Sequence, residues 1–159
     1  MPASVTGGIT FADRQQPTVD AGAYADGDSL CALMTFDVSS RAMTGAIARI
    51  SIRSGAAVAV GSILHLFNAD PSASTFTKNG ALSIHANDRA KNFESIYLEV
   101  ADWKNCGASG YRWAKNLWLP FNMIEPNPGK LYAALEFDGA HTPGATSDFG
   151  FWLTGELNG

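Results

Sequence analysis

The sequence predicts an all-β fold, a single-domain antiparallel β-sandwich of the jelly-roll type with at most one short helical turn. Apolar and polar residues alternate with a period of two in several runs, and Gly, Pro, Asn or Asp separates these runs, as is typical of strands joined by turns. Charged residues make up 16% of the chain, against roughly 25% in average soluble proteins. We expect sheet faces with so little charge to be largely covered, by a second sheet or by a partner.

Strands are expected along the whole chain. Residues 46–53 show the alternation most clearly, because Ile50 and Ile52 fall on one face whereas Ile47 and Arg49 fall on the other. The expected strands are residues 9–11, 30–38, 46–53, 62–67, 93–100, 117–122, 131–137 and 149–154.

One domain is expected, because the 159 residues contain no internal repeat, charge block or linker. Residues 1–19 are predicted to form an extended N-terminal arm that orders only when it is bound to a partner, and residues 20–159 form the β-sandwich. A single helical turn is predicted at residues 85–92, with Asn87 or Asp88 as its cap.

The composition argues against nucleic-acid and membrane partners. A net charge of −4 offers little neutralisation of phosphate groups. No run approaches the ~20 apolar residues that a membrane helix needs. Two groups of basic residues are interpreted as solvated strand faces in preference to a polyanion site. These groups are Arg41, Arg49 and Arg53, and Lys104, Arg112 and Lys115.

The two cysteines lie far apart in different settings. Cys31 lies in an apolar run and is expected to be a buried small hydrophobe, whereas Cys106 lies in a loop and is expected to be a free thiol. This usage favours synthesis in a reducing compartment. The N-terminus shows no charged and apolar leader, so no export signal is expected.

No sequence motif indicates catalysis or metal binding. The spacing of His65, His85 and His141 does not match a zinc site, and His65 is interpreted as a structural histidine within a strand. Glu94 and Glu99 point to opposite faces of one strand, so they do not form the carboxylate pair of a glycosidase. We therefore predict a protein that is not an enzyme and that uses no metal and no cofactor.

Aromatic residues crowd one part of the chain. Trp103, Tyr111 and Trp113 lie in loop-like sequence, and we expect them to be exposed. Trp118 and Trp152 are expected to fill the core. With Arg112 beside them, the exposed rings resemble an interface hot spot, and a platform for sugar stacking is the rival interpretation.

Seven segments stand in a distinctive order along the chain. They are residues 23–28, 64–71, 79–82, 87–88, 116–121, 129–135 and 147–153. In this order they resemble the cement, or decoration, proteins of tailed bacteriophage heads, which are small jelly-roll proteins. The resemblance runs from about residue 24 to residue 153 and brings no catalytic residues with it.

The resemblance implies a structural virion protein that binds the outer surface of the phage head. The expected partner is the major capsid protein, whose subunits the chain bridges as a homodimer or homotrimer. Synthesis is expected in the cytoplasm of the bacterial host. The alternative is a carbohydrate- or host-receptor-binding module of a phage tail or capsid surface.

The expected contacts with this partner lie in two loops and in the arm. The residues assigned to partner binding are Trp103, Arg112, Trp113, Thr75, Lys78 and Asn79.

Overall fold

The computed structural model describes residues 9–41, 43–124 and 128–158. Within these ranges the chain forms eleven strands. They are β1 (Ile9–Gln15), β2 (Asp28–Ser29), β3 (Met34–Asp37), β4 (Thr44–Ser54), β5 (Gly61–Phe67), β6 (Gly80–Ala81), β7 (Asn92–Leu98), β8 (Lys104–Asn105), β9 (Tyr111–Asn122), β10 (Lys130–Asp138) and β11 (Phe149–Leu157).

Short 3-10 helices connect some of the strands. They span Ala86–Lys91, Val100–Asp102 and Gly107–Ser109. The helix at Ala86–Lys91 confirms the predicted helical turn. Its cap differs from the prediction, since the His85 side chain accepts the hydrogen bond from the Asn87 backbone N–H. Among the described residues, no helix has the length and apolar character needed to cross a membrane.

The strands form two antiparallel sheets. The first sheet has the order β1-β11-β4-β9-β8, and the second has the order β6-β2-β10-β5-β7, with β3 also paired to β10. Because β2 and β3 both pair with β10, they share one strand position. The two-residue strands β6 and β8 extend the edges. When β2 and β3 are counted as one strand and β6 and β8 are left out, eight strands remain. Numbered 1 to 8 along the chain, they follow the order 1-8-3-6 in one sheet and 2-7-4-5 in the other, which is the jelly-roll arrangement. The predicted all-β sandwich is confirmed.

The core lies between the two sheets and is lined by aromatic and branched side chains. Its largest fully buried members include Trp113, Tyr24, Phe36, Phe67, Phe137, Phe149 and Phe151. Cys31 belongs to this core, and burial raises the pKa of its thiol to about 12, so the thiol stays protonated. Cys106 is exposed, and neither cysteine is in a disulfide, as the sequence predicts.

The alternation predicted for residues 46–53 fails in the middle of β4. Ile47 and Ile50 are both fully buried although they lie three positions apart. The register of β4 shifts between Ile47 and Arg49 against both of its neighbours, and Ala48 is the extra residue relative to β11. Such a β-bulge returns Ile47 to the inner face, so its predicted outward position is wrong.

Of the strand predicted over residues 30–38, only β3 forms, and a break at residues 30–33 separates it from β2, which ends before the predicted start. Two local hydrogen bonds account for the break. The Tyr24 hydroxyl donates to the Leu30 carbonyl oxygen at 2.8 Å, and the Ser29 hydroxyl donates to the Cys31 carbonyl oxygen at 2.8 Å. Side-chain hydrogen bonds of this kind compete with the ladder for backbone groups, so regular pairing with β10 resumes only at β3.

Much of the predicted N-terminal arm belongs to the sandwich. β1 pairs with β11 from Ile9 to Gln15, and Phe11 is buried in the core. Val19 is also fully buried, and its N–H donates to the Thr146 carbonyl oxygen at 2.9 Å. The prediction of an arm that orders only on binding is therefore wrong for residues 9–19, because residues 9–15 form an edge strand and Phe11 and Val19 are buried in the core. Residues 1–8 lie outside the described ranges.

Substitution of Gly155 tests the close packing that holds β1 on the sheet. A Cβ at this position would lie 2.2 Å from the Ala46 carbonyl oxygen and 2.6 Å from Cζ of Phe11. We expect Gly155→Ala to lower the free energy of unfolding by about 1–3 kcal/mol, measured by chemical denaturation. Gly80→Ala is the control, because its nearest neighbours lie at 3.5 Å, an ordinary contact distance. Equal stabilities of the two variants would contradict the described packing.

Candidate functional site

Two of the residues assigned to partner binding are buried. Trp103 is 8% exposed and Trp113 is 2% exposed, so their expected exposure is wrong. The reason is that β9 begins at Tyr111, well before the predicted strand, and Trp113 pairs with Ile52 on the inner face. Tyr111 is half-buried against the core.

The two tryptophans expected in the core lie elsewhere. Trp118 is 65% exposed, beside the register shift between β4 and β9. Trp152 is half-buried on the outer face of β11, since its neighbours Phe151 and Leu153 occupy the inner face. The prediction that Trp118 and Trp152 fill the core is therefore wrong.

The predicted contact loop near Thr75 lies beside the second sheet. Thr75 and Lys78 are exposed, and Thr75 forms a bridge with Ser83. Asn79 has a positive φ of 53°, and its N–H donates to the Ser29 carbonyl oxygen at 3.0 Å, which marks it as a turn residue. A role of Thr75, Lys78 and Asn79 in partner binding stays a prediction.

A buried carboxylate holds the start of this loop. Asp88 accepts hydrogen bonds from the Ala73 N–H at 2.9 Å and from the Ser74 hydroxyl at 2.7 Å. The Lys91 ammonium donates to the other oxygen of Asp88 at 2.8 Å and to the Asp70 carbonyl oxygen at 2.7 Å. Sequence reasoning assigned Asp88 to helix capping and missed this role.

The open side of the sandwich forms a groove lined by both apolar and polar side chains, which we name the edge surface. A groove of about 470 Å³ lies between β7 and β9. β7 is the last strand of the second sheet, and β8 pairs only with the first two residues of β9. The edges of both strands are therefore free along this groove in the described structure. The edge surface consists of Glu94, Ser95, Ile96, Tyr97, Lys115, Leu117, Trp118 and Leu119.

Arg112 lies on a different surface, the outer face of the first sheet. It is exposed on β9 and stands directly opposite Arg53 of β4. Strand pairing therefore brings together two groups of basic residues that are distant in the sequence. A role of Arg112 in partner binding stays a prediction.

The histidines have structural partners or positions. His65 contacts the Ser95 hydroxyl through Nδ1 at 2.8 Å and Glu136 through Nε2 at 2.9 Å. His141 packs against Phe137 with ring centroids 4.8 Å apart, and burial lowers the pKa of its imidazole. In the described ranges, no three His, Cys, Asp or Glu side chains converge as a metal site would require.

No protein-family model matches the chain, and neither a curated protein nor a solved structure shows a significant match. The class of protein is therefore defined by the fold alone, an antiparallel jelly-roll sandwich. Its function has to be argued from the edge surface and from the outer face of the first sheet.

Replacement of Asp88 tests the anchoring of the contact loop. Burial alone raises the pKa of this carboxyl, but the hydrogen bonds from Lys91, Ser74 and Ala73 outweigh burial and hold the pKa below its ordinary value of 3.8. The charged Asp88 carboxylate therefore stabilises the folded state fully above pH 3.8. This stabilisation is lost as the pH falls through the lower pKa that Asp88 has in the folded protein. We expect Asp88→Asn to reduce the free energy of unfolding by about 1–3 kcal/mol at neutral pH.

Denaturation curves recorded from pH 7 downwards measure this effect. The difference between wild type and Asp88→Asn should shrink as the pH falls below the ordinary value of 3.8. Asp26→Asn is the matched control, because Asp26 is exposed. A difference that is constant with pH would show that the charge of Asp88 does not hold the loop.

Proposed function

We propose that this protein decorates the outside of a tailed-phage head and bridges neighbouring subunits of the major capsid protein. The edge surface is the observation that carries the proposal. It combines the free edges of two strands with the most exposed tryptophan in the described chain.

The side chains of the edge surface have the character of a protein interface. Trp118 is 65% exposed and Tyr97 is 46% exposed, and tryptophan and tyrosine are enriched among residues that dominate binding energy. Leu117 and Leu119 add partly buried apolar surface beside them. Exposed aromatic and aliphatic side chains that are grouped beside polar ones are expected at a site that a partner covers.

The backbone at the edge surface supports the same proposal. A free strand edge presents N–H and C=O groups to which a partner can add a strand of its own. Pro120 interrupts this row of donors on β9, which protects the edge from unspecific pairing. Residues 113–119 of β9 and the outer edge of β7 remain for a partner strand.

The proposed binding stabilises a shell by mass action. A copy that contacts two capsid subunits through β7 and β9 adds its binding energy to their association, and many copies on one shell multiply the effect. A homodimer or homotrimer of the chain would suit the symmetry of such a lattice. The segment order that resembles the cement proteins includes residues 116–121, which carry Trp118.

The alternative of a sugar-binding platform made of Trp103, Tyr111 and Trp113 is weakened. Stacking against a sugar requires an open ring face, and Trp103 and Trp113 contribute theirs to the core.

Attachment of a Trp118 variant to shells tests the proposal. The purified chain is mixed with undecorated heads of a tailed phage that encodes it, and bound copies are counted after co-sedimentation and by cryo-electron microscopy. We expect saturable binding at fixed lattice positions. Trp118→Ala should weaken binding about 30-fold, the effect of losing a hot-spot residue worth about 2 kcal/mol.

The control is Val100→Ala, which also removes an exposed apolar side chain but lies outside the edge surface. Its affinity for the shell should match that of wild type. Failure of the wild-type chain to bind intact shells would overturn the proposed function. If the Trp118→Ala variant bound shells as tightly as the wild-type chain, the edge surface would not be the surface that attaches to the shell.

A further inference from the structure

Four arginines surround Trp152 on the outer face of the first sheet, a surface we name the arginine face. Arg14 of β1 stands opposite Trp152 of β11, and Arg53 of β4 stands opposite Arg112 of β9. Arg49 lies four residues before Arg53 on the same face of β4, opposite Thr154 of β11. These residues come from four strands, and neighbours of Arg53, Arg112 and Trp152, among them Ile52, Trp113 and Phe151, lie in the core.

The positive charge of the arginine face is not neutralised by the chain. None of the four guanidinium groups forms an ion pair with a carboxylate of the described residues. The whole chain carries a net charge of −4, so this concentration of positive charge opposes its average. A patch of one sign attracts ligands of the other sign.

Neutral partners orient three of the arginines and leave their charge available. Arg49 donates to the side-chain oxygen of Asn116 at 2.7 Å, and Arg53 donates to the Ser109 carbonyl oxygen at 3.0 Å. The guanidinium carbon of Arg14 lies 4.9 Å from the ring centroid of Trp152, a cation–π contact. The side chains of Arg14, Arg49 and Arg53 are therefore held in place before a ligand arrives.

The direct pairing of Arg53 with Arg112 is unfavourable for the sheet itself. Like charges that stand opposite each other on neighbouring strands destabilise the pairing. The described structure supplies no acidic side chain between them as an ion-pair partner. An anionic ligand bound to Arg112 would weaken this repulsion by neutralising one of the two charges.

Trp152 separates two clefts on the arginine face. The first cleft has a volume of about 280 Å³, and its charged side chains are Arg14, Arg53 and Asp148. The second cleft has a volume of about 270 Å³ and is lined by Arg49, Ser51, Arg112, Trp152 and Thr154. The first cleft thus offers both signs of charge, whereas the second offers positive charge and hydroxyl groups.

Glycines give the first cleft its shape. A Cβ on Gly150 would lie 3.0 Å from the Trp152 ring, and a Cβ on Gly55 would lie 2.2 Å from the Asp148 carboxylate. Gly110 has a φ of 79°, and its Cβ would lie 2.4 Å from the Ser54 carbonyl oxygen. Larger residues at these positions would displace the side chains and the backbone that form the cleft.

We propose that the arginine face binds an acidic polysaccharide, a chain of sugars that carries carboxylate groups among its hydroxyl groups. A carboxylate of the sugar binds Arg49 and Arg112 in the second cleft, because a guanidinium group matches a carboxylate in geometry and charge. Hydroxyl groups of the neighbouring sugar donate to Asp148 in the first cleft. The ring of Trp152 provides apolar surface between the two sugars.

Asp148 favours this ligand over other polyanions. A DNA strand carries a phosphate on every nucleotide but no free sugar hydroxyl group within the chain, so it leaves the Asp148 carboxylate in the first cleft without a hydroxyl donor. An acidic peptide offers few hydroxyl donors for the same carboxylate. A uronic-acid polymer supplies an anion for the arginines and a donor for Asp148 within one repeating unit.

Isothermal titration calorimetry with the full chain tests the proposal. The probes are oligosaccharides of polygalacturonate and of alginate, with neutral dextran fragments, a poly-glutamate peptide and oligo-dT of equal charge as comparisons. We expect the acidic oligosaccharides to bind and the three comparison ligands to bind at least about tenfold more weakly. Raising the salt concentration should weaken the binding, because the contacts are partly charge-driven.

Single substitutions locate the site. Arg49→Gln and Arg112→Gln should each weaken binding by about tenfold or more, since each removes a charge-assisted contact. Arg89→Gln is the matched control, because Arg89 is exposed on the 3-10 helix before β7, outside both clefts. Thermal unfolding of each variant shows that the fold is retained.

Several outcomes would overturn the proposal. Equal binding of dextran would show that charge is not recognised, and equal or tighter binding of poly-glutamate or oligo-dT would assign the face to acidic proteins or nucleic acids. Absence of binding by both acidic oligosaccharides at low salt would also overturn it. Trp118→Ala should still bind the oligosaccharides, so the proposal is tested separately from attachment to a phage shell.

Discussion

The position of β11 is the constraint on which the rest of the structure depends. This strand lies between β1 and β4 and is hydrogen-bonded to both, so it joins the beginning of the described chain to its middle. Its inner side chains, among them Phe151 and Leu153, enter the core, and its outer side chain Trp152 separates the two clefts. Because side chains alternate along a strand, a shift of one residue would exchange these two roles. The core and the arginine face therefore depend on one register.

The sequence predicted the fold class and most strands, because turn residues and a period of two are local signals. β5, β10 and β11 begin within about one residue of their predicted starts, where Gly or Asp stands just before a largely apolar run. The bulge at Ala48 and the break between β2 and β3 were not predictable, since they depend on neighbouring strands and on a hydrogen bond from Tyr24. The early start of β9 did have a signal. Tyr111 and Trp113 alternate with polar residues, a pattern that the nearby glycines obscured.

The candidate surfaces were less accessible to sequence reasoning. Arg53 and Arg112 are exposed in separate segments, and only the pairing of β4 with β9 places them side by side. A sequence pattern reports which face of a strand a residue occupies, but it does not report which strand lies beside it. For Trp118 a warning was present, because Pro120 marks an edge strand, and an edge strand can leave a large side chain in solvent.

The arrangement of β11 also sets an order of events during synthesis. The ribosome completes β10 before β11, so every strand of the second sheet is available while the first sheet still lacks the strand between β1 and β4. Until residues 149–157 emerge, the backbone of β1 lacks the strand with which it is hydrogen-bonded in the folded protein. The nascent chain therefore carries an open half-sandwich, and the pairings that close it span most of the described sequence. A message that ends before β11 yields a chain in which β4 can still pair with β9, but β1 has no strand to join it to the first sheet.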